Sequence, residues 1–263
     1  MIQYRIITLF AAVLFFTTYV KAQTENSSED VRVIVQAGQL DIFNNPLCIV
    51  PTKGLYVAVG NSLISLDAED NESEIGMNKD VYIDDIVSTG TDLIIKQDTA
   101  LLSFTNDCKP IVAFNTSSFG IFSSLDGNLF IVSKNDSISN LLFFDAKQKK
   151  IKPLSNFDEQ VVYVSGDTLQ CHVVTDTKIY LFKKNTGIKL LEYIEPIITA
   201  ALTENGILFS TKNKILLLRS VNTVNVLAEF GCRRLLPYVN SFYAEYNDGS
   251  IVWYNFRKRE LKR

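Results

Sequence analysis

The chain has a single histidine, His172, and four cysteines, at positions 48, 108, 171 and 232. A nucleophile needs a base within hydrogen-bond reach. Cys171 and His172 are adjacent in an apolar run that continues through Val173 and Val174, and neighbours along a strand point to opposite faces. That pair is therefore poorly placed for thiol–imidazole chemistry. A Ser-His-Asp triad would have to work through His172, and the chain has no Gly-x-Ser-x-Gly elbow. One histidine also excludes a three-histidine zinc centre, and no Cys-x-x-Cys spacing occurs. Carboxylates come next. Asp84 and Asp85 stand at the entry to an apolar run, and Asp158, Glu159 and Glu195 hold comparable positions. A ring of such oxygens suits Ca²⁺ or Mg²⁺; solvation of loops is the simpler reading. The cluster Asp67, Glu69, Asp70, Glu72 and Glu74 lacks the order of a calcium loop and reads as a solvated turn. Phe119, Phe157, Tyr193 and Tyr238 lie near the same connections, where an aromatic could anchor a peptide or a sugar.

The elements that must position these residues recur along the chain. Apolar runs open at Leu55, Leu93, Leu129, Leu169, Ile207 and Phe242, at steps of roughly 35 to 40 residues, the period of a propeller blade. Each is entered from a Gly, Asp, Asn or Ser turn and followed, after a tight polar turn, by a second apolar run. The fifth repeat shows the frame. Ile197 to Leu202 is apolar throughout, Glu204-Asn205-Gly206 turns, and Ile207 to Ser210 is the second strand. Lys212-Asn213 turns again, Lys214 to Arg219 is the third strand, and Val224 to Phe230 is a more polar fourth. Inner strands covered on both faces read as continuous apolar runs, and outer strands alternate. No part of the chain after residue 22 shows helical spacing with caps. The expectation is an all-β, six-bladed β-propeller over residues 31–256. Its last repeat lacks a fourth strand, and Val31 to Gln36 resembles the missing piece. The N-terminal strand is expected to close the last blade and so remove an open sheet edge. Cys48 and Cys232 both precede the inner strand of a blade, the first and the last, which are neighbours in a closed ring. A Cys48–Cys232 disulfide is conceivable on that geometry.

The start of the chain reads as a targeting segment. Arg5, the apolar stretch Ile6 to Val20 and Val20-Lys21-Ala22 have the form of a signal peptide over residues 1–22, with cleavage before Gln23. The stretch is short for a membrane span of about 20 residues. A polar linker, 23–30, follows, and a basic tail, 257–263, ends the chain. Losing Arg5 and Lys21 with the leader makes the chain, with its 26 basic and 29 acidic residues, still more acidic. That disfavours nucleic acid as a partner.

On spacing and strand pattern the chain resembles the six-bladed β-propeller superfamily, of the loosely repeating kind found in exported bacterial proteins. The resemblance implies a fold rather than an activity. No Trp-Asp dipeptide closes the repeats, Trp253 is the sole tryptophan, and sialidase and kelch signatures are absent. The expected function is that of an exported, periplasmic or secreted, non-catalytic protein-binding or scaffold propeller of the cell envelope. It has no cofactor and no integral membrane segment once the leader is removed. Its expected contact surface includes Asp84, Asp85, Phe157 and Tyr193. The alternatives are a metal-dependent hydrolase or lactonase using Ca²⁺ at the central channel, and a carbohydrate-binding module.

Overall fold

The structure is a computed structural model. It describes residues 31–255 apart from 36–46, 51–53, 60–61, 67–71, 77–82, 90–92, 105–107, 115–117, 124–127, 136–137, 146–149, 168, 184–185 and 239–240. The expected signal peptide, the 23–30 linker and the basic tail lie outside the described residues.

The first strand, β1 (Val31–Val35), stands apart from the strands that follow it. Next come β2 (Leu47–Val50), β3 (Gly54–Val59), β4 (Ser62–Leu66) and β5 (Glu72–Gly76), then β6 (Asp85–Ser88), β7 (Leu93–Gln97), β8 (Ala100–Phe104) and β9 (Cys108–Ala113). The middle of the chain gives β10 (Phe119–Ser123), β11 (Leu129–Asn135), β12 (Ile138–Asp145) and β13 (Lys150–Phe157), followed by β14 (Val161–Gly166), β15 (Gln170–Thr175), β16 (Lys178–Lys183) and β17 (Thr186–Glu192). The last two groups are β18 (Thr199–Thr203), β19 (Gly206–Ser210), β20 (Ile215–Ser220) and β21 (Thr223–Ala228), then β22 (Arg234–Tyr238), β23 (Ser241–Glu245) and β24 (Ile251–Asn255). The described residues are all-β.

These strands make six four-stranded antiparallel sheets among the described residues, each a meander. The order β1-β24-β23-β22 is the exception that matters. There the N-terminal strand pairs antiparallel with the last one, Val31 opposite Tyr254 and Val33 opposite Val252. The sheets follow one another about an axis, with the first strand of each touching the first strand of the next: β2 with β6, β6 with β10, β10 with β14, β14 with β18, β18 with β22, and β22 with β2. This is a β-propeller arrangement.

The core lies in the seams between sheets. Ile86 and Ile95 pack against Tyr56 and Ala58, and Leu101 and Ile94 against Ile121 and Ile131. Phe130 and Leu141 meet Val164 and Val173, Ile179 and Val174 meet Phe209 and Leu216, and Leu208 and Leu217 meet Leu235 and Ala244. Apolar clusters thus seal five seams among the described residues. β22 also touches β2, and Arg234 acts electrostatically on Cys48 and Asp85, as taken up below.

Hydroxyls tie two of the connections to the blade beside them. Ser139 Oγ donates to the Glu159 carbonyl at 2.8 Å and accepts from the Val161 N–H at 3.3 Å. Ser210 Oγ accepts from the Cys232 N–H at 2.8 Å. The same Ser210 hydroxyl is fully buried, where an unpaired donor or acceptor would be costly. Fourth strands are the polar ones, as their pattern predicts: most of β17 is exposed, whereas β18 is nearly all buried. Turn chemistry also matches. Asp98 (φ 48°) and Asn222 (φ 58°) take the left-handed conformation in two of the expected turns. At Gly206 (φ 130°) a Cβ would lie 2.2 Å from the Leu218 carbonyl oxygen, so that turn requires glycine.

Candidate functional site at the strand-entry end of the axis

The first strand of every sheet begins at the same end of the disc, so the residues just before these strands gather around the axis there. Asp84 and Asp85 enter β6, Ser118 enters β10, Gln160 enters β14, Ile198 enters β18, and Arg233 and Arg234 enter β22. The two aspartates have different tasks. The exposed Asp84 carboxylate accepts a hydrogen bond from the Asp98 N–H, while its own N–H donates to the Lys96 carbonyl at 2.9 Å. It thereby fixes the β7–β8 turn. Asp85 accepts from the Ile86 N–H at 2.9 Å and stands opposite Lys96 in the ladder. Burial pushes the Asp85 carboxyl up to about 6; Arg234 is the strongest of the groups that oppose the shift, and Lys96 a weaker one.

Arg234 also serves a second carboxylate. Glu245, on β23, is 1% exposed. Arg234 Nε lies 3.3 Å from its Oε2 and Arg233 Nη2 lies 3.0 Å from its Oε1. The ladder sets this up, since Arg234 is in register with Glu245 and the Arg233 N–H donates to the Glu245 carbonyl at 2.9 Å. Burial still raises the Glu245 carboxyl above its ordinary value, against the pull of both guanidiniums. Cys48, on β2, feels the same groups: burial first and then Asp85 raise its thiol, and Arg234 opposes them. Arg234 thus pairs with Glu245 within the last sheet and also acts electrostatically on Asp85 of β6.

An open cavity of about 460 Å³ is lined by residues of β10 and β14, with Lys96 and Ile198 at its edge. Lys96 Nζ sits 4.8 Å above the centre of the Phe119 ring, a cation–π contact. Phe119 in turn packs on Phe114 at 4.5 Å between centroids.

Phe157 and Tyr193 do not join Asp84 and Asp85. Phe157 is buried in the seam between the third and fourth β2-to-β22 sheets, with Phe182 at 5.4 Å and Tyr180 at 6.0 Å. It is a core residue, because the end of β13 turns inward onto β16 and not out to the rim. Tyr193 packs edge-on against Phe209 at 5.3 Å in the next seam. It is half-buried there, and its N–H donates to the Thr177 carbonyl at 2.9 Å. The expected Cys48–Cys232 disulfide is likewise not formed: both are free and buried. Cys48 belongs to the seam between the first two sheets and Cys232 to the seam between the last two, so the ring adjacency of their blades does not bring the thiols together. Burial pushes the Cys232 thiol up to about 12 and that of Cys171 to about 11.

The residues raised for catalysis or metal binding are otherwise engaged. His172 lies in β15 opposite Ser165 and Leu181, and burial lowers its imidazole. Glu159 pairs with Lys178 and accepts from Thr175 Oγ1, and Glu195 accepts from Asn213 Nδ2 at 3.3 Å. Among the described residues no three of His, Cys, Asp and Glu come together as a cation site. Asp85 stands opposite Lys96 in the ladder and feels the charge of Arg234, surroundings unsuited to Ca²⁺.

No family model matches the sequence, and no curated protein matches it. Solved structures do resemble it in shape. A TolB-like protein from Agrobacterium tumefaciens superposes with a TM-score of 0.63 at 12% identity, over 85% of this chain and 92% of that one. The chain has a β-propeller fold. An auxiliary nutrient-binding protein from Bacteroides thetaiotaomicron superposes at 0.60 and 11% identity, covering 85% of this chain and 75% of its own. A chain of the nidogen/laminin complex does so at 0.58 and 10%, covering 71% and 79%. At these identities the likeness is one of fold, which these propellers put to different uses.

The sequence reading missed Lys96, Arg233, Arg234 and Glu245. The Arg233-Arg234 pair directly before an apolar run was the available signal; it mirrors Asp84-Asp85 at the start of another blade.

Proposed function

We propose that the chain is an exported, non-catalytic binding propeller of the cell envelope, a ring of six blades that engages a protein partner through the strand-entry end of its axis. One observation carries the reading: charged and amide side chains from several blades gather at that end of the axis, beside a cavity. The six-blade count is supported by the six sheets and by the contact between β22 and β2. The use of propellers in nutrient-binding and nidogen/laminin structures supports a binding role, and the leader-like N-terminus supports export. Asp84 and Glu195 lie at the proposed contact end, and the exposed Glu204, in the β18–β19 turn, lies at the other. Photo-crosslinkers placed at these three positions in the native host test the reading. Discrete adducts from Asp84 and Glu195 but not from Glu204 are expected. Adducts of equal yield at both ends, or none at all, would reject the assignment.

A further inference from the structure

The cavity at the strand-entry end has a wall chemistry more specific than a general binding role requires. Its lining mixes polar and apolar surface: Phe122, Val162 and Ile198 supply apolar side chains, and Phe119 lies beneath Lys96. Gly120 contributes no side chain to the wall, and a Cβ there would sit 3.4 Å from the Phe122 ring. The polar groups are the Gln160 amide, the Ser118 hydroxyl and the Lys96 ammonium. Its volume falls within the common range of small-molecule sites.

The charge is what selects the ligand. Lys96 makes no ion pair within 4.0 Å among the described residues; its ammonium rests on the Phe119 ring at 4.8 Å. The anionic neighbour that might have taken it, Asp85, is stabilised more by Arg234 than by Lys96. Lys96 is itself one of the residues lining the cavity, so its charge bears on that space. A half-buried ammonium above an aromatic face, with an amide and a hydroxyl in the same lining, suits an anion that accepts several hydrogen bonds. The apolar side chains suit a hydrocarbon or aryl body. We propose that this cavity binds a small carboxylic acid with an apolar body, its carboxylate on Lys96 and its body between Phe122, Val162 and Ile198. This site is independent of the protein partner proposed above and stands or falls by direct binding of small molecules.

The test is calorimetric titration of the full mature chain with hexanoate, 3-phenylpropionate and indole-3-butyrate, each beside its neutral amide. At least one acid is expected to bind, and to bind about ten-fold or more tightly than its amide, as a charge-assisted contact would give. Lys96→Met is expected to remove that preference while leaving the amide's affinity unchanged. Ile198→Asn, at a half-exposed position whose change spares the core, is expected to weaken acid and amide alike. Unfolding curves matching the parent confirm that both variants are folded. Equal affinity for acid and amide, a preference that survives Lys96→Met, or no binding of any acid at millimolar concentration would each overturn the proposal. Failure here with the Asp84 and Glu195 crosslinks intact would leave the protein-binding role standing.

Discussion

Arg234 and Glu245 face each other across the first two strands of the last sheet, Nε 3.3 Å from Oε2, at a point where the carboxylate is 1% exposed. A buried charge of this kind is tolerated only while its partners remain. Removing one partner leaves a desolvated charge behind, and such losses run to about 3 kcal/mol. Arg234→Met is expected to lower the urea-unfolding free energy by about that amount. Adding Glu245→Gln to the same chain should recover part of the loss, since the orphaned charge goes with it. A loss below about 1 kcal/mol for Arg234→Met would show that Arg233 suffices alone.

Asp85 predicts a pH effect of defined sign. Its folded carboxyl is pushed up to about 6, against an ordinary value of 3.8. Between those values the folded chain holds a proton that the unfolded chain has released. Its contribution to stability is complete below the unfolded value and is lost as pH rises through about 6. His172, whose imidazole is lowered by burial, acts in the opposite sense and costs stability as pH falls below its ordinary 6.5. Comparing Asp85→Asn with the parent cancels the histidine. Melting temperatures of the two should agree near pH 4, and the variant should be the more stable above pH 7. Parallel profiles across the whole range would contradict a titrating Asp85.

Closure by β1 predicts the outcome of a truncation. Without residues 31–36, β24 (Ile251–Asn255) loses its partner strand and becomes a bare edge. Scanning calorimetry of the shortened mature chain should show a lower and broader transition, and size-exclusion chromatography should show self-association. A melting transition identical to that of the parent would mean that the β1–β24 ladder adds nothing to the ring.

How much was legible without coordinates differs from element to element. The strands of the fifth repeat were readable to within about two residues, the ordinary uncertainty of strand ends. Ile197 to Leu202 becomes Thr199–Thr203, and Lys214 to Arg219 becomes Ile215–Ser220. The pairing of the N-terminal strand with the last one was legible too, because the final repeat lacked a fourth strand. Phe157 was misread because an aromatic near a connection looks the same whether it turns outward or packs on Phe182. The cysteines were misread because blade adjacency fixes backbones to several ångströms, whereas a disulfide needs two thiols in one narrow geometry.

By itself the sequence determined what near neighbours determine: the strand period, the turns at Asp98 and Asn222, the apolar inner and polar outer strands, and the absence of a second histidine. These follow from backbone preference and local burial pattern, which act over a few residues. Only the tertiary structure decided which polar groups meet. Arg234 reaches Glu245 and influences Asp85, and Lys96 comes to lie over Phe119, because the ring brings distant strand entries around one axis. No local periodicity encodes such meetings, since they depend on the angle at which one blade packs against the next.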